Sequence, residues 1–90
     1  MKQKSFTIIN PSGVHLKPAK IIVETTRKFT DTEVLIQKDE ESVSAKSPIN
    51  ILGLELSHGS QFTITVTGGN ENGCFEAIEE VLKKEFLIDA

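Results

Sequence analysis

Apolar and polar positions alternate with a period of two in four stretches of the chain and follow a helical period in two longer ones. Residues 3–9 set Phe6 and Ile8 two apart, with β-branched Thr7 and Ile9 beside them, which predicts a short strand. From Pro18 to about Lys28, Ala19, Ile22, Val23 and Thr26 recur at helical spacing while Lys20, Glu24 and Arg27 fall on the other side, the pattern of an amphipathic helix. Thr32 to Lys38 alternates again, with Val34 and Ile36 on one face, and Ser42 to Lys46 reads as a weaker strand. The polar stretch from Lys38 to Ser42 joins the two as a hairpin. Ser47-Pro48 supplies an N-cap residue followed by proline at the first helical position, and Gly53 ends that helix within two turns. Phe62, Ile64 and Val66 then alternate with three threonines in a clear strand, broken by Gly68-Gly69-Asn70. A final helix of about 15 residues carries Phe75, Ile78, Val81 and Leu82 along one stripe.

The order β-α-β-β-α-β-α, with one hairpin and no internal repeat, indicates an α+β fold: a mostly antiparallel sheet with its helices on one face. The apolar-in, polar-out alternation of the last strand fits a sheet covered on one side only. No linker or low-complexity stretch interrupts residues 1–90, which are expected to form a single domain. Ninety residues suffice for one core, not for a deep catalytic cleft with a separate cofactor lobe. The net charge of −3, without any block of Lys or Arg, argues against nucleic-acid binding. Cys74 is the only cysteine, which excludes an internal disulfide, suits a reducing compartment and leaves no metal cluster. No apolar run reaches the roughly 20 residues of a membrane span, and Met1-Lys2-Gln3-Lys4-Ser5 lacks the apolar core of a signal peptide. A cytoplasmic protein without metal or cofactor is expected.

One local string carries chemistry: Asn10-Pro11-Ser12-Gly13-Val14-His15-Leu16-Lys17-Pro18-Ala19. Asn-Pro and Ser-Gly are turn formers, and Pro18 has the fixed φ of a first-turn helical residue. His15 is thereby expected just before the helix, beside unpaired amide N–H groups at the positive end of the helix dipole, with Lys17 adding a cation. A neutral imidazole placed there is a nucleophile where an anion is welcome, and phosphate is the anion that suits such a site. Its neutral form is well populated near neutral pH, from an ordinary pKa of about 6.5. The helix terminus disfavours the imidazolium by about 0.3–1 kcal/mol. After transfer, the same N–H groups face a dianion and stabilise it. Ser12 could orient the ring or hold the turn. His58, in a turn before Gly59, reads as a surface residue, and Cys74 as part of the core.

The segment Gly13-Val14-His15-Leu16-Lys17-Pro18-Ala19 resembles the active-site motif Gly-x-His-x-Arg-Pro-Ala of HPr, the histidine-containing phosphocarrier family of the bacterial phosphoenolpyruvate-dependent sugar phosphotransferase system. Lys46-Ser47-Pro48-Ile49-Asn50-Ile51-Leu52-Gly53-Leu54 resembles the family's Lys-Ser segment and short second helix. The resemblance covers nearly the whole chain. It implies an open-faced β-sandwich with a four-stranded, mostly antiparallel sheet and three helices on one face. It also implies that His15 accepts a phosphoryl group on Nδ1 from the phosphoenolpyruvate-charged first enzyme of the system and passes it to sugar-specific components. Lys17 departs from the family's arginine. Arg grips two phosphate oxygens through a planar fork, whereas Lys offers a hydrated point charge. The loss of one charge-assisted hydrogen bond, about 1–2 kcal/mol, would slow transfer around tenfold.

By the same resemblance Ser47 corresponds to the serine that a dedicated ATP-dependent kinase phosphorylates in Gram-positive relatives, turning the carrier into a signal for a transcriptional regulator. Pro48 and Asn50 depart from the common pattern there. Structurally, Ser47 is expected to cap the short helix. That helix cannot bury every apolar residue it carries. The resemblance implies that exposed Ile49 and Leu52, together with Leu16, Lys17 and Lys20, form a modest docking patch for transient partners. Two alternatives stand beside the carrier. One is a regulatory HPr-like module acting through Ser47 with little carrier flux; modules of that type tend to lack the histidine. The other is a non-phosphorylated α+β binding module, which leaves the Gly13–Ala19 string unexplained.

Overall fold

The alternating segments become strands of one sheet in the computed structural model, which describes residues 1–9, 16–84 and 88–89. The elements run β1 (Lys2–Ile8), α1 (Leu16–Arg27), β2 (Thr32–Lys38), β3 (Glu41–Ser44), α2 (Pro48–Gly53), β4 (Gln61–Gly68), α3 (Glu71–Lys84) and β5 (Ile88–Asp89). The sheet order is β3-β2-β4-β1-β5 and each pairing is antiparallel. The expected four-stranded antiparallel open sheet with three helices is therefore present. The two-residue β5, set against Thr7 and Ile8 of β1, extends it by a strand too short to leave any periodic signal in the sequence.

Strand alternation sorts the side chains into two faces. Phe6, Ile8, Val34, Ile36, Phe62, Ile64 and Val66 point into the core. They meet Ala19, Ile22 and Val23 of α1, Ile51 of α2, and Cys74, Phe75, Ile78 and Leu82 of α3. Phe6 lies opposite Phe62 across β1–β4, with ring centroids 5.6 Å apart, and 6.3 Å from Phe75. Among the described residues, no helix covers the other face. It is lined by hydroxyl and amide groups that pair across strands, Gln3 Nε2 donating to Thr65 Oγ1 at 3.0 Å and Ser5 bonding Thr63 at 2.9 Å.

Several boundaries differ from the sequence expectation. α1 already includes Leu16 and Lys17, so Pro18 is not its first residue. Proline is tolerated there because first-turn N–H groups have no intrahelical acceptor. β3 spans Glu41–Ser44 in place of residues 42–46, because the hairpin turns tightly at Asp39 with a left-handed φ of 54°. Pairing still reaches Ala45, whose N–H donates to the Val34 carbonyl at 2.9 Å. β4 ends at Gly68, with φ 138°, where a Cβ would collide with the carbonyl oxygen of Asp31. Only glycine fits that crossing.

β1 is also tied to α3 by charge. Residues of its first half that share the helix-side parity are lysines, and their stems run along the core while the ammonium groups reach outward. Lys4 Nζ pairs with Glu79 Oε2 at 2.9 Å, and Lys2 Nζ sits 5.4 Å from the Phe75 ring centroid. The Met1 amine pairs with Glu71 at 2.6 Å, and the other Glu71 oxygen accepts the Gly68 N–H at 2.9 Å. The hydrogen bond from the terminal amine, then that from Gly68, holds the Glu71 carboxyl below its ordinary value; the Lys4 hydrogen bond does the same for Glu79. Among the described residues, no helix is long and apolar enough to cross a membrane.

Candidate functional site

α1 and α2 pack against one another on the helical face, and this is where the described candidate residues gather. α1 is fixed by burial of Ala19, Ile22, Val23 and Thr26, which leaves Lys20, Glu24 and Arg27 exposed as the spacing predicts. Leu16, Lys17 and Pro18 are its first described residues. His15 and Ser12 lie outside the described residues.

At the other end of α1, the strand leaving the hairpin is bound to the helix by side chains that sequence periodicity did not single out for this purpose. The buried Thr26 hydroxyl shares its proton between Val23 O at 2.9 Å and Ala45 O at 3.2 Å. An Arg27 guanidinium nitrogen donates to the Lys46 carbonyl at 3.2 Å. Lys46 folds back, its ammonium donating to Thr32 O at 2.6 Å and Phe29 O at 3.2 Å. Its charge is thus committed to carbonyls past the end of α1 and is not presented beside Ser47. These contacts join residues 14 to 19 positions apart, so no local motif announces them.

α2 follows directly. Ser47 occupies the N-cap position with extended φ and ψ, and Pro48 opens the helix as expected. The expected capping hydrogen bond is absent: the Ser47 side chain makes none, and the Ser47 carbonyl accepts from Ile51 N–H at 3.4 Å. Pro48 itself offers no N–H to satisfy, and the segment is held instead by Arg27 and by Asn50, whose amide donates to Ser44 O at 3.4 Å. The far end is pinned by Lys38, which donates to the Leu54 and Glu55 carbonyls at 3.1 Å each. Six residues would be a marginal helix alone; fully buried Ile51 and these anchors on both sides hold it in place.

Ile49 projects from this anchored turn with 79% of its surface exposed, while Leu52 is half-buried against the core. Of the patch expected from the sequence, α2 therefore presents Ile49 fully and Leu52 in part, with Lys20 exposed on the adjoining helix. His58 is exposed and Cys74 buried, as expected. Among the described residues, no three His, Cys, Asp or Glu side chains come together as a metal site.

Comparison with known proteins gives a consistent result. The family described as the PTS HPr component phosphorylation site matches residues 2–84. The phosphocarrier protein HPr of Lysinibacillus sphaericus is 37% identical over 82 residues, spanning 91% of this chain and 92% of that relative. Among solved structures, the histidine-containing phosphocarrier protein of a mycoplasma superposes with a TM-score of 0.93 at 24% identity, covering 99% of this chain and 100% of the other, a likeness of fold. HPr-C-His of Thermoanaerobacter tengcongensis superposes with a TM-score of 0.87 at 30% identity over 96% of each chain.

Proposed function

The chain belongs to the HPr family of phosphocarrier proteins of the phosphotransferase system, and from that premise we propose that His15 is its phosphoryl acceptor. The observation that carries this is the family match over residues 2–84, which takes in the Gly13–Ala19 string leading into the described part of α1. Helix N-termini offer N–H groups that lack intrahelical acceptors, and these suit a phosphoryl group. The neutral imidazole Nδ1 bonds to phosphorus as the bond from phosphorus to the donor breaks. Lys17 and the first-turn amides offset the charge of the phosphoryl group. Transfer onward reverses these events on a sugar-specific component. Residues 1–90 act as one cytoplasmic carrier domain, with Ser12 and Pro18 shaping the approach to α1. Leu16, Lys20, Ile49 and Leu52 meet the first enzyme of the system and the sugar-specific components in turn.

The test is direct. Incubation with phosphoenolpyruvate and the first enzyme is expected to place acid-labile phosphate on the wild type and none on His15→Ala. Labelling of the variant, or none of the wild type, removes His15 from the role.

A second, compatible role is favoured by one observation: the Ser47 hydroxyl is not engaged in the cap it was expected to form. A hydroxyl without that bond is available to an ATP-dependent serine kinase, and the phosphoserine would then serve as a signal to a transcriptional regulator. Mass analysis after kinase treatment checks it. Modification at another residue, or none, excludes Ser47 as the regulatory serine.

A further inference from the structure

We propose that Arg27 is the charge partner of a phosphoryl group on Ser47, so that the end of α1 reads the modification state of the segment entering α2. The inference rests on the regulatory role given above for Ser47. In that modification the Ser47 hydroxyl oxygen bonds the γ-phosphorus of ATP, the bond from phosphorus to the bridging oxygen breaks to release ADP, and the hydroxyl proton passes to a base of the kinase.

Arg27 is already at the right place. Its guanidinium donates to the carbonyl of Lys46, which belongs to the peptide bond joining Lys46 to Ser47. Thr26 fixes the geometry one residue earlier on both chains by donating to Ala45 O. The end of α1 and the 45–47 segment therefore run side by side, held by neighbouring contacts. Arg27 is exposed and, among the described residues, no carboxylate pairs with it. Its present bond to a neutral carbonyl is weaker than a bond to phosphate, and its fork can hold two phosphate oxygens at once.

The neighbouring cations are less suited. Lys46 is held by two carbonyls on its far side, and Lys38 by the two carbonyls at the end of α2. Electrostatics supply a need as well as an opportunity. The 45–47 segment runs along the C-terminal end of α1, whose dipole opposes a new dianion there, while the N-terminus of α2 at Ser47 favours one. As the last residue of α1, Arg27 offsets both charges.

The test installs phosphoserine at position 47 by semisynthesis, so that it does not depend on any kinase. The phosphate's second pKa, ordinarily about 6, is followed by phosphorus NMR. Arg27→Ala is expected to raise it by about 0.5–1 unit, and Arg27→Lys to restore part of the shift. Lys28→Ala is the control, because it removes the same charge next door and, among the described residues, its side chain makes no hydrogen bond to the 45–47 segment; it is expected to move the value much less. In the phosphorylated wild type, the Arg27 guanidinium nitrogen resonance should also shift. Equal values for Arg27→Ala and Lys28→Ala, or an unmoved guanidinium resonance, overturn the proposal. Kinase treatment of the unmodified protein is scored separately. If it leaves Ser47 unlabelled while the semisynthetic protein shows the Arg27 shift, the regulatory role fails and the pairing stands.

Discussion

Lys17 is the residue on which the rate of the proposed transfer depends most directly. With lysine two positions after His15, the phosphoryl group is met by one flexible ammonium and not by a planar pair of donors. Lys17→Arg is expected to raise the rate of phosphoryl uptake about tenfold, the equivalent of one further charge-assisted hydrogen bond of about 1–2 kcal/mol. Rapid-quench measurement with the charged first enzyme reads this; an unchanged rate would place Lys17 away from the phosphate. His15 and Lys17 can be nominated from the sequence because their chemistry is carried by a contiguous string that holds turn formers and a proline. Arg27 and Lys46 are not legible in the same way. Each looks like an ordinary surface cation in its own helix or strand, and its carbonyl partners come from another part of the chain. The Ser47 cap shows the converse failure. Residue type and position predicted a hydrogen bond, yet Arg27 and Asn50 hold the segment without it.

Between elements, the attachment of β1 to α3 depends on two glutamates that are held below their ordinary carboxylate values, Glu71 by the terminal amine and Glu79 by Lys4. A folded-state value below the unfolded one means that the unfolded chain binds more protons as the solution is acidified. The contribution is therefore fully present above the ordinary carboxyl value of 4.5 and is lost as pH falls below it toward the lowered folded-state values. The amine of each pair is exposed and its glutamate part-buried, so the effect is small and screened by salt. Urea midpoints measured at low salt should decline between about pH 6 and about pH 3, and less steeply in the Glu71→Gln, Glu79→Gln double variant. Parallel declines would mean that other groups carry the acid dependence. α1 and α3 were legible because their apolar stripes are long. Their ends were less so: Leu16 and Lys17, ahead of the proline, are already helical, since a proline suits any position of the first turn.

At the scale of the whole molecule, the chain closes on itself through β4, which lies between β2 and β1 and is paired along both edges. The partners are distant in sequence, Phe6 opposite Phe62 and Val34 opposite Val66, so these contacts form only when the chain has folded as a unit. The alternation of Phe62, Ile64 and Val66 announced a strand and its buried face but not its two neighbours, because periodicity specifies a face and never a partner. β3 and β5 differ: each is at an edge, short, and paired on one side. Native-state hydrogen exchange should therefore divide the sheet. Amides of Phe62 to Val66 are expected to exchange only through global unfolding, with free energies that follow denaturant in parallel with the equilibrium curve. Amides of Val43, Ser44 and Ile88 should exchange through local opening that is nearly independent of denaturant. The division matters for a carrier that meets several partners, because it leaves α1 and α2 mounted on the part of the sheet that opens last, through Ala19, Ile22, Val23 and Ile51 in the common core. Exchange of Phe62 to Val66 amides at the same low free energy as those of β3 would show instead that the helical face rests on a sheet that opens piecemeal.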